Sequence, residues 1–182
     1  TFSGDVILDV EGSYTISGVT VNLTFGGSAN ISLNVAGDVT LTSNPSIING
    51  GGIGTLSLTF DGTSVQNYSS SVAFTEFNFI ISSSSIVNIA NGDAFIGSGD
   101  FLLNNLSELR LGSTAMSGAI QSGTTAGNIR VAGTRSFNSG SSIVYNGSGA
   151  QFIGSGHPTT PNTEINNANG VTLASDVTIG GD

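Results

Sequence analysis

Two carboxylates occupy equivalent positions of an internal repeat and could act as an acid–base pair. Glu11 and Asp61 each precede a glycine of the repeat, and Ala36 has the same offset between them. If successive repeats stack like paired β-strands, two steps separate the carboxylates by roughly 10 Å. That distance is near the upper end for an inverting glycosidase. The chain has no lysine, and no arginine precedes Arg110, so we interpret the pair as solvated edge charge.

A single imidazole could serve as a general base or a metal ligand. His157 lies in the segment Gly-Ser-Gly-His-Pro, and the chain has no second histidine and no cysteine to complete a metal shell. The segment also lacks the context of a nucleophile elbow. We therefore expect His157 to occupy a loop without a catalytic role.

Side-chain oxygens near residue 95 could contribute to a calcium site. Asn91, Asp93 and Asp100 supply amide and carboxylate oxygens, but their spacing matches neither an EF-hand loop nor a calcium-binding nonapeptide. A weak surface ion site remains the alternative. The glycine run 50–52 is not followed by Gly-Lys-Ser/Thr, so it indicates a turn and not a phosphate loop. The sequence predicts no catalytic residue, no cofactor site and no dedicated metal site.

Aromatic residues and asparagine sequons offer two further kinds of candidate site. Most phenylalanines fall at inward positions of the alternation and are predicted core, whereas Tyr68 and Tyr145 lie in polar stretches and are better candidates for a ligand-binding surface. Five Asn-x-Ser/Thr acceptors matter only if a eukaryote makes the protein, and they begin at Asn22, Asn30, Asn67, Asn105 and Asn146.

The composition excludes several partners. The 182 residues include twelve carboxylates but only three arginines, which gives a net charge of −9. Such a chain cannot replace the counterions of nucleic acids or anionic membranes. No run of 18 apolar residues suggests a membrane span. With 37% hydrophobic and 8% charged residues, the chain is expected to fold.

Apolar triplets recur every 25 residues and must position all of these side chains. Each triplet alternates with polar residues, as half-buried strands do, and a fixed period of this length is typical of stacked repeats. The first three triplets are Val6/Leu8/Val10, Ile31/Leu33/Val35 and Leu56/Leu58/Phe60. We assign later members of this set to Phe77/Phe79/Ile81, to Phe101–Leu106 with Phe101/Leu103 and Leu102/Leu106 as competing registers, to Ile129/Val131, and to the segment around Ile165.

Two further apolar stretches lie between successive triplets. One set comprises Tyr14/Ile16, Val39/Leu41, Val87/Ile89, Leu109/Leu111 and Val171/Leu173. The other comprises Val19/Val21/Leu23/Phe25, Ile47, Val72/Phe74, Phe95, Ile143/Tyr145 and Val177/Ile179. Three short strands per turn predict an all-β, right-handed parallel β-helix, a solenoid of six to seven coils. A β-sandwich is the competing fold, but it gives no reason for a strict 25-residue return.

The last quarter of the chain resembles a repeat of very large secreted bacterial surface proteins, including adhesins of gliding bacteria. The resemblance rests on the run YNGSGAQFIGSG, a following proline, the strand INNANGVTL and the final DVTIGG. It implies export to the cell surface and a place in a stalk-like region. It carries over no catalytic residue.

Together these features predict one β-helix repeat domain over residues 1–182, an excerpt of a longer secreted chain. We expect a non-catalytic structural or adhesive segment of an extracellular surface fibre. Head-to-tail continuation or self-association is the expected mode of assembly, without nucleic acid and without insertion into a membrane. A carbohydrate-binding or carbohydrate-active β-helix, with a glycan or another surface ligand as its partner, remains the alternative.

Overall fold

The computed structural model describes residues 5–17, 23–25, 30–42, 47–49, 54–74, 76–174 and 176–179. All regular elements within these ranges are β-strands, nineteen in number, and their pairings are parallel. The strands follow one another around three faces, so the chain is a parallel β-helix, as the 25-residue period predicted. Residues 19, 21 and 22 and the glycine run 50–52 lie outside the described residues.

Each face is a stack of strands from successive coils. The first face contains β1 (Val6–Val10), β4 (Ile31–Val35), β7 (Leu56–Phe60), β9 (Phe77–Ile81), β12 (Phe101–Leu103) and β15 (Arg135–Phe137). The second contains β2 (Tyr14–Ile16), β5 (Val39–Leu41), β8 (Val65–Ser70), β10 (Ile86–Ile89), β13 (Glu108–Leu111), β16 (Ser142–Tyr145) and β18 (Asn162–Ile165). The third contains the pairs β3 (Leu23–Phe25) with β6 (Ile47–Asn49), β11 (Phe95–Gly97) with β14 (Ile129–Val131), and β17 (Gln151–Ile153) with β19 (Val171–Leu173). The seven strands of the second face correspond to seven coils.

The predicted triplets pair in register on the first face. Leu8 pairs with Leu33, Leu33 with Leu58, and Leu58 with Phe79. Because strand side chains alternate between faces, every second residue of β4, β7 and β9 points inward and is buried. The interior is therefore a set of apolar columns, each continued by the next coil.

Repeat glycines allow the corner between the first two faces to pack closely. A Cβ atom on Gly37 would lie 2.6 Å from the carbonyl carbon of Gly12, and one on Gly62 would collide with the carbonyl oxygen of Ala36. Any larger residue would force adjacent coils apart. This contact explains the glycines after the second and third triplets, whereas a Cβ atom on Gly12, in the first coil, would meet nothing within 4 Å.

Phenylalanines fill the middle coils, as predicted. Phe95 lies at the centre of this cluster, with its ring centroid 4.8 Å from that of Phe79 and 5.5 Å from that of Phe101. The six phenylalanines proposed as core are all nearly inaccessible to solvent: Phe60, Phe74, Phe77, Phe79, Phe95 and Phe101. In the fifth coil the Phe101/Leu103 register is correct, since both residues are buried whereas Leu106 is 69% exposed.

The predicted strand assignment is wrong after residue 111. Ile129/Val131 was assigned to the first face, but β14 pairs with β11 on the third face. The sixth strand of the first face is β15, and Phe101 pairs with Arg135, 34 residues along the chain. The cause is the segment 112–128 between β13 and β14, which lengthens this coil beyond the period of the others.

The remaining assignments are also displaced by one face, those of Ile165 and Val171 because, within the described residues, the chain passes from β17 to β18 without a first-face strand. Ile165 belongs to β18 on the second face and does not begin a seventh triplet of the first. Val171/Leu173 lies on the third face and Ile143/Tyr145 on the second, the reverse of the predicted sets. A periodicity read by counting residues cannot detect a change of phase inside an inserted segment.

Candidate functional site

The proposed carboxylate pair lies at one corner of the solenoid, two coils apart. Ala36 occupies the coil between them, and its N–H donates to the Val10 carbonyl 2.9 Å away. Glu11 and Asp61 are both exposed. Partial burial, followed by the charge of Asp9, raises the pKa of Asp61. In the described part of the chain, the only ion pair joins Arg110 to Glu108, on another face. No cation therefore supports the pair.

His157 is buried between β17 and β18, with 6% of its surface exposed. Its Nδ1 lies 2.9 Å from the Tyr145 hydroxyl, and its Nε2 lies 2.9 Å from the Thr163 hydroxyl. Burial lowers the pKa of His157 to about 4, so the ring is neutral at pH 7. Both ring nitrogens are occupied by structural hydrogen bonds. The loop position was predicted, but the burial was not.

The oxygens considered for calcium already bond to neighbouring coils. Asn91 Oδ1 accepts from the Thr114 N–H at 3.0 Å, and Asp100 Oδ1 accepts from the Thr134 N–H at 2.7 Å. Asp93 Oδ1 accepts a 3.3 Å hydrogen bond from the hydroxyl of Ser69. Within the described ranges, no three His, Cys, Asp or Glu residues are grouped so that they could hold a metal ion.

A polar ladder runs along the residues that immediately precede the first-face strands. Asp5 Oδ1 accepts the Asn30 N–H at 3.1 Å, and Asn30 Oδ1 accepts the Thr55 N–H at 3.0 Å. Higher in the stack, Asp100 Oδ1 accepts the Thr134 N–H at 2.7 Å. Each such side chain thus satisfies a backbone donor of the following coil. The sequence carried this signal, since a polar residue precedes each strand of the face, at Asp5, Asn30, Thr55, Glu76, Asp100 and Thr134.

Buried amide side chains form a second kind of link between coils. Gln66 is fully buried, and its Nε2 donates to the carbonyls of Val35 and Gly37, each 2.7 Å away, in the preceding coil. Its Oε1 accepts the N–H of Gly62 at 3.0 Å. Among the described residues, this side chain is the one partner of two backbone groups, the Gly37 carbonyl and the Gly62 N–H, and it adds a second bond to the Val35 carbonyl, which also accepts the Asp61 N–H.

Two further buried amide side chains each make three hydrogen bonds to backbone groups in the same way. Gln151 bonds to Leu111, Ser113 and Gly147, and Asn128 bonds to Ala90, Asp93 and Ser113. None of the three amides was predicted from the sequence. The spacing Gly-x-x-x-Gln, shared by Gly62/Gln66 and Gly147/Gln151, was the available signal.

The tyrosines proposed as surface residues are both core residues, so that prediction is wrong. Tyr68 is 1% exposed and Tyr145 is fully buried, because each lies at an inward position of a second-face strand. Burial raises the pKa of both phenols. The Tyr145 hydroxyl bonds to His157, whereas the Tyr68 hydroxyl makes no hydrogen bond of normal geometry among the described residues, and the nearby Ser70 side chain opposes the rise of its pKa only in part.

Several sequon asparagines are also engaged in coil-to-coil bonds. The side-chain amides of Asn30, Asn67 and Asn146 donate to Asp5, Asp38 and Asn88 respectively. Asn22 lies outside the described residues. The sequons thus coincide with the polar ladders of the fold.

The described ranges contain no helix of the length and apolar character needed to cross a bilayer. Four of the candidate residues share one structural role: the side chains of Asn91, Asp93, Asp100 and His157 bond neighbouring segments of the stack. Comparisons of this chain with protein-family models, with curated proteins and with solved structures find no match.

Proposed function

We propose that the chain is a non-catalytic segment of an extracellular bacterial surface fibre or adhesin stalk. The observation that supports this most is the continuous sheet of the second face, in which seven parallel strands pair from β2 to β18. Each coil of a solenoid contacts only its neighbours, so length increases with coil number. Seven coils at about 4.8 Å each extend roughly 30 Å. The proposed task is to hold an attached module at a distance.

The links between coils suit a segment that bears tension. Backbone hydrogen bonds join each coil to the next, and the Gln66 and Gln151 side chains each add two hydrogen bonds to the preceding coil. These bonds lie inside the solenoid, where water does not compete for them. The structural use of His157 and Asp100 likewise supports a role without catalysis.

We propose that the stalk extends by further coils stacking on the first and last described coils. Leu8 is 50% exposed, although its column partners Leu33 and Leu58 are buried. At the other end, Ile165 and Leu173 are 56% and 54% exposed. Another coil, from the same chain or from a second copy, would cover these groups. Sedimentation velocity should show concentration-dependent association that Leu8→Asp weakens, and a concentration-independent monomer would contradict association between copies.

Single-molecule pulling tests the stalk role. With the chain tethered at both ends, we expect a resolved unfolding force and extension in steps of about 85 Å, the length of one unravelled coil of roughly 25 residues. The variant Gln66→Leu should unfold at lower force, and Val65→Ala at the exposed neighbouring position serves as control. Extension without any force peak would contradict the proposal. Cleavage of an acidic polysaccharide by the purified chain would instead support the carbohydrate-active alternative.

A further inference from the structure

A shallow hollow on the third face has a chemistry that the stacking of coils does not explain. Its volume is about 310 Å³, and its floor is largely apolar. Among the residues that the structure describes, no carboxylate lines it, although the chain carries twelve. The lining residues are Ala73, Ile96, Gly97, Ser98, Thr124, Arg130 and Ala132. This volume lies at the lower end for small-ligand sites.

Arg130 brings a positive charge to this hollow. It occupies the outward position of β14, between the buried residues Ile129 and Val131. Its Nε donates to the carbonyl of Thr124, 3.0 Å away in the inserted segment 112–128. Within the described part of the chain, neither Nη atom has a hydrogen-bond partner. The inserted segment therefore holds the guanidinium in place through Nε, while the two Nη groups remain available for a ligand.

The other two arginines have different surroundings. Arg110 is neutralised by its ion pair with Glu108. Arg135 donates through Nη1 to the carbonyl of Gln121, and through Nη2 to those of Gly123 and Val131. Among the described residues, Arg130 is thus the one guanidinium that has neither a carboxylate partner nor bonded terminal nitrogens.

We propose that this hollow binds a small ligand through a carboxylate, held by the two Nη–H groups of Arg130. A planar guanidinium and a carboxylate match as a pair of parallel hydrogen bonds. The Thr124 carbonyl orients the Arg130 guanidinium before a ligand binds, so less side-chain conformational freedom is lost on binding. Ala73 and Ile96 offer apolar contact to a ligand body about the size of one sugar ring. The site does not depend on the proposed stalk function.

The affinity is expected to be low. The hollow is open, and the net charge of −9 opposes the approach of an anion. A dissociation constant on the order of 10 mM is therefore expected. At that strength, ligand exchange is fast and chemical shifts report binding directly.

An NMR titration with ¹⁵N-labelled protein at constant ionic strength tests the site. Galacturonate should shift the amide signals of Gly97, Ser98, Thr124 and Ala132, whereas neutral galactose should not. N-acetylalanine distinguishes the source of the carboxylate. A response to galacturonate alone supports a sugar acid, and a response to both acids supports recognition of the carboxylate itself.

Matched variants separate the site from the fold. Arg130→Gln should abolish the shifts and Arg130→Lys should weaken binding at least about fivefold, because an ammonium lacks the fork. Arg110→Gln should leave the titration unchanged. Unperturbed spectra of the free variants establish that each is folded. Equal responses to galactose and galacturonate, no response to either acid, or binding that persists in Arg130→Gln would overturn the proposal.

Discussion

Two buried tyrosines allow the hydrogen-bond account of the core to be tested by the same substitution. Tyr68 and Tyr145 both lie at inward positions of the second face, and each is at most 1% exposed. The Tyr145 hydroxyl is 2.9 Å from His157 Nδ1, whereas the Tyr68 hydroxyl is unpaired among the described residues. Replacement by phenylalanine removes one oxygen from each site. The two variants therefore differ mainly in that Tyr145→Phe loses a hydrogen bond and Tyr68→Phe does not.

The expected changes have opposite signs. An unpaired buried hydroxyl costs about 1–3 kcal/mol of desolvation, so Tyr68→Phe should raise the free energy of unfolding by about 1 kcal/mol. The ring contacts of Tyr68 with Phe60, Phe79 and Phe95 do not involve the oxygen and should persist. Tyr145→Phe loses a hydrogen bond and leaves a buried imidazole nitrogen unpaired. Its free energy of unfolding should fall by about 2 kcal/mol.

Urea denaturation at pH 7, followed by far-ultraviolet circular dichroism, measures both changes. The m-value must stay constant across the variants, because solenoids can lose two-state behaviour. The half-buried Tyr14 provides a control, and Tyr14→Phe should change stability little. A loss of stability in Tyr68→Phe, or none in Tyr145→Phe, would refute the reasoning.

Three further predictions concern other residues of the stack. Because the pKa of His157 is about 4 in the folded chain, the unfolded chain binds a proton more readily, and the contribution of His157 to the free energy of unfolding is full above pH 6.5 and is lost towards pH 4. Between pH 7 and 5 the free energy of unfolding should therefore decline by about 2 kcal/mol. Urea denaturation should show a smaller decline in His157→Asn. Gln66→Leu should cost about 3 kcal/mol in the same measurement by leaving two backbone groups unpaired, the Gly37 carbonyl and the Gly62 N–H, whereas an equal loss in Val65→Ala would contradict that origin. Leu106 is exposed with a φ of 61°, so Leu106→Asn should raise the midpoint of thermal unfolding by relieving about 1 kcal/mol of backbone strain, and a lower midpoint would show that no strain was present.

The sequence predicted the fold because local alternation and long-range period agree in the first four coils. The column through Leu8, Leu33 and Leu58 can be read from the chain, since parallel coils of equal length keep equivalent residues in register. The agreement ends at the insertion 112–128. Beyond it the composition remains that of short strands, but the face each strand joins depends on contacts between distant segments.

The site predictions were limited by a different cause. Glu11 and His157 were assessed by residue type, which can exclude a catalytic group but cannot identify a hydrogen-bond partner. Tyr68 and Tyr145 were assigned to the surface because their neighbours are polar, although alternation in a strand places polar neighbours outward. The buried amide of Gln66 was missed because glutamine normally occupies the surface.

The stacked arrangement of coils is tested most directly by distances between spin labels. The chain has no cysteine, so pairs introduced on the outward side of the second face are labelled uniquely. We would pair Glu164 in turn with Asn67, Thr40 and Thr15, which lie four, five and six strands away in the sheet. Pulsed electron resonance should give distances that rise from about 19 Å to roughly 30 Å in steps of one strand spacing. Distances that do not increase along this series would contradict the parallel β-helix and the stalk proposed from it.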